Sequence, residues 1–186
     1  MTHSEMKKKV LALVEELNPN NANLTDDPDI AEKYNHVANQ VMYELSRMKK
    51  IPRYAETDVE EGDTLDLDGL ASVFGNDIYQ IISVSGVKYD FKAEGTVIKF
   101  LESGTAEIEC YVYPPLITEA NAKTYIFELS PDVLEIMPYG IAADLLKSDV
   151  SAEYGSIYAT RYESMLQRLD PRYQSGGITV EGGWDI

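Results

Sequence analysis

The sequence has few of the residues that most often carry metal or nucleophilic chemistry: one cysteine, Cys110, and two histidines, His3 and His36. Cys110 cannot form an internal disulfide, and its place in an apolar alternation predicts a buried thiol in a reducing compartment. His3 is expected in a disordered amino-terminal stretch, and neither histidine has a second ligand at metal-binding spacing. Glycine-rich phosphate loops and the Gly-x-Ser-x-Gly motif are also absent. We therefore predict no catalytic residue, no metal site and no cofactor.

Positive charge is scarce as well. The chain has 16 lysines and arginines against 32 aspartates and glutamates, for a formal net charge of -16. This balance argues against wrapping nucleic acid, which needs clustered basic residues, and against an anionic membrane surface. No window approaches the run of about 20 apolar residues that a spanning helix needs. Glu15 and Glu16 interrupt the apolar stretch of the opening "MTHSEMKKKVLALVEEL", so no signal peptide is predicted. We expect the protein to be cytosolic or to assemble in a cytosol.

Two amphipathic helices are predicted at the start of the chain. Asn18 and Pro19 end the first, and Asp27 caps the second with Pro28 at its first position. Apolar residues recur at helical spacing. In the first helix these are Met6, Val10, Leu13, Val14 and Leu17, and in the second Ile30, Tyr34, Val37, Ala38, Val41, Met42, Leu45 and Met48.

A β section follows, because the hydrophobic period changes from about 3.6 to 2 near Glu56. The segment "AETDVEEGDTLDLDG" is acidic, with no lysine or arginine between Glu56 and Asp68. Later, "GTAEIECYVYPP" alternates cleanly, which predicts one buried and one solvated face. The buried face would hold Ala106, Ile108, Cys110 and Val112, and the solvated face Glu107, Glu109, Tyr111 and Tyr113.

Helix returns at Ser130 and Pro131, with a break or kink expected at Pro138. The last helix has a long apolar stripe that ends before Pro171, and Gly155 within it predicts a close backbone approach. The predicted core positions on this stripe are Tyr154, Ile157, Tyr158, Arg161, Tyr162, Met165, Leu166 and Leu169.

The predicted fold class is α+β: a four-helix bundle-like core in the order α-α-β-α-α, an antiparallel β insertion between helices 2 and 3, and an extended C-terminal tail. The predicted domains are a helical core of residues 1–55 and 118–172, a β insertion of residues 56–117 and a C-terminal arm of residues 173–186.

One segment has partial resemblance to a cation site. In "TLDLDG", Asp66, Asp68 and Gly69 match positions three, five and six of an EF-hand loop, but Thr64 and Gly75 stand at positions one and twelve. The loop therefore has no bidentate ligand. We interpret the segment as a strand that leads into a turn.

The candidate binding residues are aromatic and apolar. Tyr111 and Tyr113 would present their rings among acidic groups, as interface residues do. The ending "QSGGITVEGGWDI" holds the only tryptophan. Its alternation predicts an added edge strand whose flanking side chains fill pockets on a neighbouring subunit or other partner, although a tail folded back on its own subunit remains an alternative. The tail residues assigned to partner binding are Tyr173, Ile178, Val180, Trp184 and Ile186.

Two stretches of the carboxy-terminal half carry a family resemblance. They are "AEIECYVYPPLITE" and "SPDVLEIMPYGIAADLLKSDVSAEYGSIYATRYESMLQRLD". Both are similar to the head-tail connector (adaptor or head completion) proteins of tailed bacteriophages. In those proteins a strand ending in Tyr-x-Tyr-Pro-Pro, here Tyr111 to Pro115, leads to a helix of the form "PYGIAADLLKSD". A long tyrosine-rich helix and an extended tail follow. The resemblance covers residues 106–186, and the long acidic β section departs from the smallest adaptors.

The resemblance implies a structural protein of the virion, not an enzyme. It implies a homo-oligomeric ring, twelvefold in the family, beneath the portal protein, with tail or stopper proteins as further partners. DNA would pass through the channel without specific binding, and no membrane is involved. An alternative from the residues alone is a small-molecule or carbohydrate binding module that uses the tyrosine-rich β face.

Overall fold

A computed structural model of the chain describes residues 1–92, 96–147 and 152–169. This part of the chain holds five helices and six strands. In chain order they are α1 (His3–Leu13), α2 (Pro28–Met48), β1 (Ile51–Val59), β2 (Thr64–Asp66), α3 (Leu67–Phe74), β3 (Ile78–Ser85), β4 (Tyr89–Lys92), β5 (Val97–Phe100), β6 (Gly104–Val112), α4 (Pro131–Leu145) and α5 (Ala152–Leu169). None of these helices is long and apolar enough to cross a lipid bilayer.

The strands form two antiparallel sheets of three strands each. The first has the order β1-β6-β3, and the second has the order β2-β5-β4. β6 lies at the centre of the first sheet and buries Ala106, Ile108, Cys110 and Val112, as its alternation predicts. In the second sheet, β5 buries Ile98 and Phe100. The buried residues of both sheets and of the helices belong to one hydrophobic cluster.

The predicted α-α-β-α-α bundle is wrong. The β section contains an additional helix, α3, and its strands divide into two sheets. The four longer helices are not a symmetric bundle either, because α1, α2 and α5 each pack against α4. The reason is that α4 is apolar on most of its circumference, so it is buried at the centre instead of presenting one stripe.

Helix α3 replaces the turn that was predicted at "TLDLDG". The Asp66 carboxylate accepts a hydrogen bond of 2.8 Å from the amide of Gly69, so Asp66 caps the helix. Gly75 ends the helix with a φ of 70°, in the left-handed region where glycine is favoured. Leu70 is fully buried, and α3 packs against β1, β2 and β3. Asp66 is therefore a capping residue of a helix that supports both sheets.

Two further expectations about the helices are corrected. The chain start is ordered: α1 begins at His3 with a capping box, in which Thr2 and Glu5 bond each other's backbone amides. α4 continues through Pro138, so the predicted break does not occur, and the alternative of a kink stays a prediction. Gly140 of the same helix permits close packing, because a β-carbon there would lie 2.8 Å from the ring of Tyr162.

Candidate functional site

The structure brings Tyr111 and Tyr113 together with side chains from the end of α2 and the start of β3. Tyr111 is partly exposed near the end of β6, on the face opposite the buried Cys110 and Val112, and Tyr113 directly follows the strand. We call this group of six side chains the tyrosine-cation cluster. Its members are Tyr43, Arg47, Lys50, Tyr79, Tyr111 and Tyr113.

Lys50 lies over two tyrosine rings of the cluster. Its Nζ is 4.9 Å from the centroid of Tyr79 and 4.9 Å from the centroid of Tyr111. The same ammonium donates a hydrogen bond of 2.9 Å to Oε1 of Gln80. An ammonium at this distance is attracted by the negative face of each ring. The charge is therefore held in one place on the surface of the sheet.

Arg47 supplies the second cation. Its guanidinium is 5.8 Å from the centroid of Tyr113, and its Nε donates a hydrogen bond of 3.3 Å to the Tyr113 hydroxyl. This hydrogen bond raises the pKa of Arg47. The ring of Tyr113 also lies 5.0 Å from that of Tyr43, whose pKa is raised by partial burial and by the Asp77 carboxylate. The surface therefore carries two cationic side chains among tyrosine rings.

Two β-bulges in β3 explain why this surface is so aromatic. The pairing of β3 with β6 shifts register over residues 78–80 and again over residues 81–83. A bulge inserts one extra residue and turns neighbouring side chains to the same side. The first bulge leaves Tyr79 and Gln80 both exposed, and the second exposes Ile82. Alternation alone would have placed half of these side chains in the core.

The two cations of the cluster have no carboxylate partner among the described residues. Lys49, which lies between them at the end of α2, pairs with Asp132 of α4. Neither Arg47 nor Lys50 forms an ion pair within the described ranges. In a chain with a net charge of -16, the cluster is a local site of positive charge on the described surface.

An open groove borders the cluster on the side of α3. Its volume is about 440 Å³, and its walls include Tyr43, the end of α3 and the segment 114–116. Asn76 fixes one side by donating a hydrogen bond of 3.1 Å to the carbonyl of Tyr113. Leu116 is 50% exposed at the other side. The groove is wide and shallow, so it offers a surface for a protein segment more than an enclosed ligand cavity.

A second exposed apolar surface lies on α5. Ile157, expected in the core, is 58% exposed, and Tyr154 is 65% exposed. An open cavity of about 530 Å³ runs along this face, past Ile157, Arg161 and Met165. We call Tyr154, Ile157 and the exposed residues along this cavity the α5 face.

The opposite side of α5 is buried, as predicted for its other tyrosines. The Tyr162 hydroxyl donates a hydrogen bond of 3.0 Å to Oε2 of Glu44, and burial together with this carboxylate raises the pKa of Tyr162. The Tyr158 hydroxyl donates to the carbonyl of Leu13. These bonds attach α5 to α2 and to the end of α1, and they fix which side of the helix faces outward.

The tail residues assigned to partner binding lie outside the described residues. They are Tyr173, Ile178, Val180, Trp184 and Ile186. Their role stays a prediction.

His3 and Cys110 are in structural positions, whereas His36 is exposed on α2. The pKa of His3 is lowered by burial, and its Nε2 is 2.8 Å from the amide oxygen of Asn35. Cys110 is fully buried in the first sheet, which raises the pKa of its thiol to about 11. A thiol of this pKa is protonated at neutral pH and is a poor nucleophile. Residues 1–92, 96–147 and 152–169 contain no group of three or more His, Cys, Asp or Glu side chains that could hold a metal ion.

Comparison with known proteins gives no assignment: no family model matches the chain, and no curated protein matches it significantly.

Proposed function

We propose that this chain is a structural subunit of the head-tail connector of a tailed bacteriophage. Copies of the subunit form a ring beneath the portal protein, extend the channel through which DNA leaves the head, and dock the tail or stopper proteins. The protein therefore acts in the virion and catalyses no reaction. The proposal rests on the resemblance of residues 106–186 to connector proteins and on the surfaces of the subunit.

The observation that carries the proposal is the presence of two unlike interaction surfaces on different elements. The α5 face exposes Tyr154 and Ile157, whereas the sheet exposes Tyr79, Ile82 and the cations beside them. A closed ring is built from heterologous contacts, in which one patch of a subunit binds a different patch of its neighbour. A subunit with two unlike surfaces meets this requirement, while an isologous dimer needs only one.

The charge of the chain suits a DNA channel. A lumen that lets a duplex pass has to avoid clustered phosphate contacts, because these would hold the DNA in place. The net charge of -16 gives such a ring a repelling field.

The second candidate, a small-molecule or carbohydrate binding module, has one observation in its favour: the groove of about 440 Å³ beside Tyr43. Sugars bind to proteins through free aromatic faces, but Lys50 already lies over the rings of Tyr79 and Tyr111. A direct comparison decides between the two: the connector proposal expects no glycan or metabolite binding in a calorimetric screen, and specific saturable binding would favour the module.

The connector proposal is tested with Ile157→Asp. The side chain is exposed, so the free subunit should fold normally, but a carboxylate buried in an apolar contact weakens assembly on the order of tenfold or more. The full chain is co-expressed with the portal protein of the same genome, and complexes are measured by sedimentation velocity. Gln167→Asp is the matched control, because it adds the same charge to an exposed position of α5 away from the cavity.

The expected result is a portal-bound oligomer for the unmodified chain and for Gln167→Asp, and a loss of assembly for Ile157→Asp with an unchanged circular dichroism spectrum. If the unmodified chain remains a monomer and does not bind the portal protein, the proposed function is wrong. If Ile157→Asp assembles as well as the control, the α5 face is not part of the ring.

A further inference from the structure

We propose that the tyrosine-cation cluster of one copy binds the turn between β1 and β2 of a second copy, so that subunits join head to tail. This inference rests on the proposed function, because it names one contact between neighbouring subunits of the ring. We call residues 60–63 the acidic turn. The partner is thus a second copy of this chain, recognised by its carboxylates.

The acidic turn has a fixed backbone and exposed side chains. The amide of Glu60 donates a hydrogen bond of 2.9 Å to the Asp63 carboxylate, and the amide of Glu61 donates one of 2.9 Å to Ser103 Oγ. Gly62 has a φ of 95°, a conformation that glycine adopts without strain. Glu60 and Glu61 are exposed, and no lysine or arginine occurs between Glu56 and Asp68. The turn therefore presents two exposed carboxylates from a fixed backbone.

The cluster and the acidic turn lie at opposite ends of the same strand. Lys50 directly precedes β1, and Tyr111 pairs with Pro52 near the start of this strand. The acidic turn directly follows Val59 at its other end. The nine residues of β1 separate the two by roughly 30 Å at the usual rise of a strand. Charges that far apart are screened from each other at about 0.1 M salt, where the Debye length is about 10 Å.

This separation decides how the charges can be neutralised. The acidic turn cannot reach the cluster of its own subunit, because a strand paired in the sheet does not bend back on itself. Glu107 and Glu109, on the solvated face of β6, accept hydrogen bonds from Ser85 and Ser83 of β3. The two unpaired cations are therefore open to carboxylates of another molecule. A contact between unlike ends of two copies is heterologous, which is the type that closes into a ring.

The tyrosine rings around the two cations make the cluster suitable for binding carboxylates. Cations that are held over tyrosine rings lose little side-chain entropy when a carboxylate binds. Tyrosine and arginine are also the residues that most often dominate protein interfaces. The bulged part of β3 adds the exposed Ile82 beside the charges, so the contact would combine apolar and ionic parts.

A charge exchange tests the proposal. Arg47→Glu with Lys50→Glu reverses the charge of the cluster, and the double change Glu60→Lys with Glu61→Lys reverses that of the turn. Each should lower the apparent association constant of the full chain on the order of tenfold at low salt. The quadruple variant, with both ends reversed, should restore association. Lys8→Glu with Lys9→Glu, at two exposed positions on α1, is the control for net charge.

Association is measured by sedimentation equilibrium from low to high salt, with thermal unfolding as the check on folding. Restored association in the quadruple variant supports the contact, and failure of restoration with intact folding overturns it. The turn variant keeps the test valid if the cluster variant does not fold, because self-association unchanged by the turn substitutions also overturns the contact. If the chain assembles with the portal protein but the charge reversals do not change its association, only this contact is refuted. A chain that never assembles refutes the proposed function as well.

Discussion

Replacement of Tyr34 by phenylalanine is expected to stabilise the fold. Tyr34 is fully buried on α2, and its hydroxyl has no hydrogen-bond partner within the described residues. The ring itself is well packed, with the edge of His3 at 5.5 Å and Lys7 Nζ at 5.1 Å from its centroid. The substitution removes only the oxygen and keeps these contacts. A buried polar group without a partner costs about 1–3 kcal/mol, so the variant should gain about 1 kcal/mol.

The same chemical change at Tyr162 is the matched control. Its hydroxyl is bonded to Glu44, so Tyr162→Phe should lower the free energy of unfolding by about 1 kcal/mol. Thermal and urea unfolding of both variants measure the difference. For a chain of this length, 1 kcal/mol corresponds to about 2–4 °C in melting temperature. A destabilised Tyr34→Phe variant would refute the reasoning, because it would show that the hydroxyl has a partner.

Two further predictions concern local interactions. The ion pair with Lys49 lowers the pKa of Asp132 from 3.8 to about 2, so its contribution to stability is complete above about pH 4 and is lost as the pH falls towards about 2. Because both side chains are half exposed, Lys49→Met should cost less than about 1 kcal/mol at pH 7, and this cost should vanish at about pH 2 in urea titrations. Gly86→Ala should cost at least about 2 kcal/mol, since φ is 85° and the new β-carbon would lie 2.4 Å from the carbonyl oxygen of Thr105. Gly62 also has a positive φ, but an added β-carbon there would meet no atom within 4 Å, so Gly62→Ala should cost about 1 kcal/mol in the same unfolding assay. An equal cost at both positions would contradict the steric argument.

Several elements were predictable because their signals are local. Asp27 accepts hydrogen bonds from the amides of Asp29 and Ile30, and Pro28 begins α2, as the sequence indicates. The alternation of β6 likewise predicted which side chains are buried, because a centre strand with one solvated face has to alternate. Helix α3 had an equally local signal, Asp66 before it and Gly75 after it. The helix was not predicted, because "TLDLDG" was interpreted as a strand that leads into a turn.

The orientation of α5 could not be predicted from its sequence. The apolar stripe of this helix is wide, so spacing alone does not tell which half faces the core. Packing decides it: α5 approaches α4 through Gly155, where a β-carbon would lie 3.2 Å from Cβ of Leu146. This close approach, which the glycine predicted, turns Ile157 outward. The tyrosine-cation cluster could not be predicted either, because its members come from different elements, and the exposure of Tyr79 depends on a register shift in β3 that has no sequence pattern.

Electron cryomicroscopy of the full chain with the portal protein of the same genome would show whether the proposed connector ring forms. We expect a closed ring of identical subunits beneath the portal, in which the cluster around Lys50 of one subunit contacts residues 60–63 of the next and an open channel passes through the centre. Free monomers, or isolated dimers that leave the portal unoccupied, would contradict it.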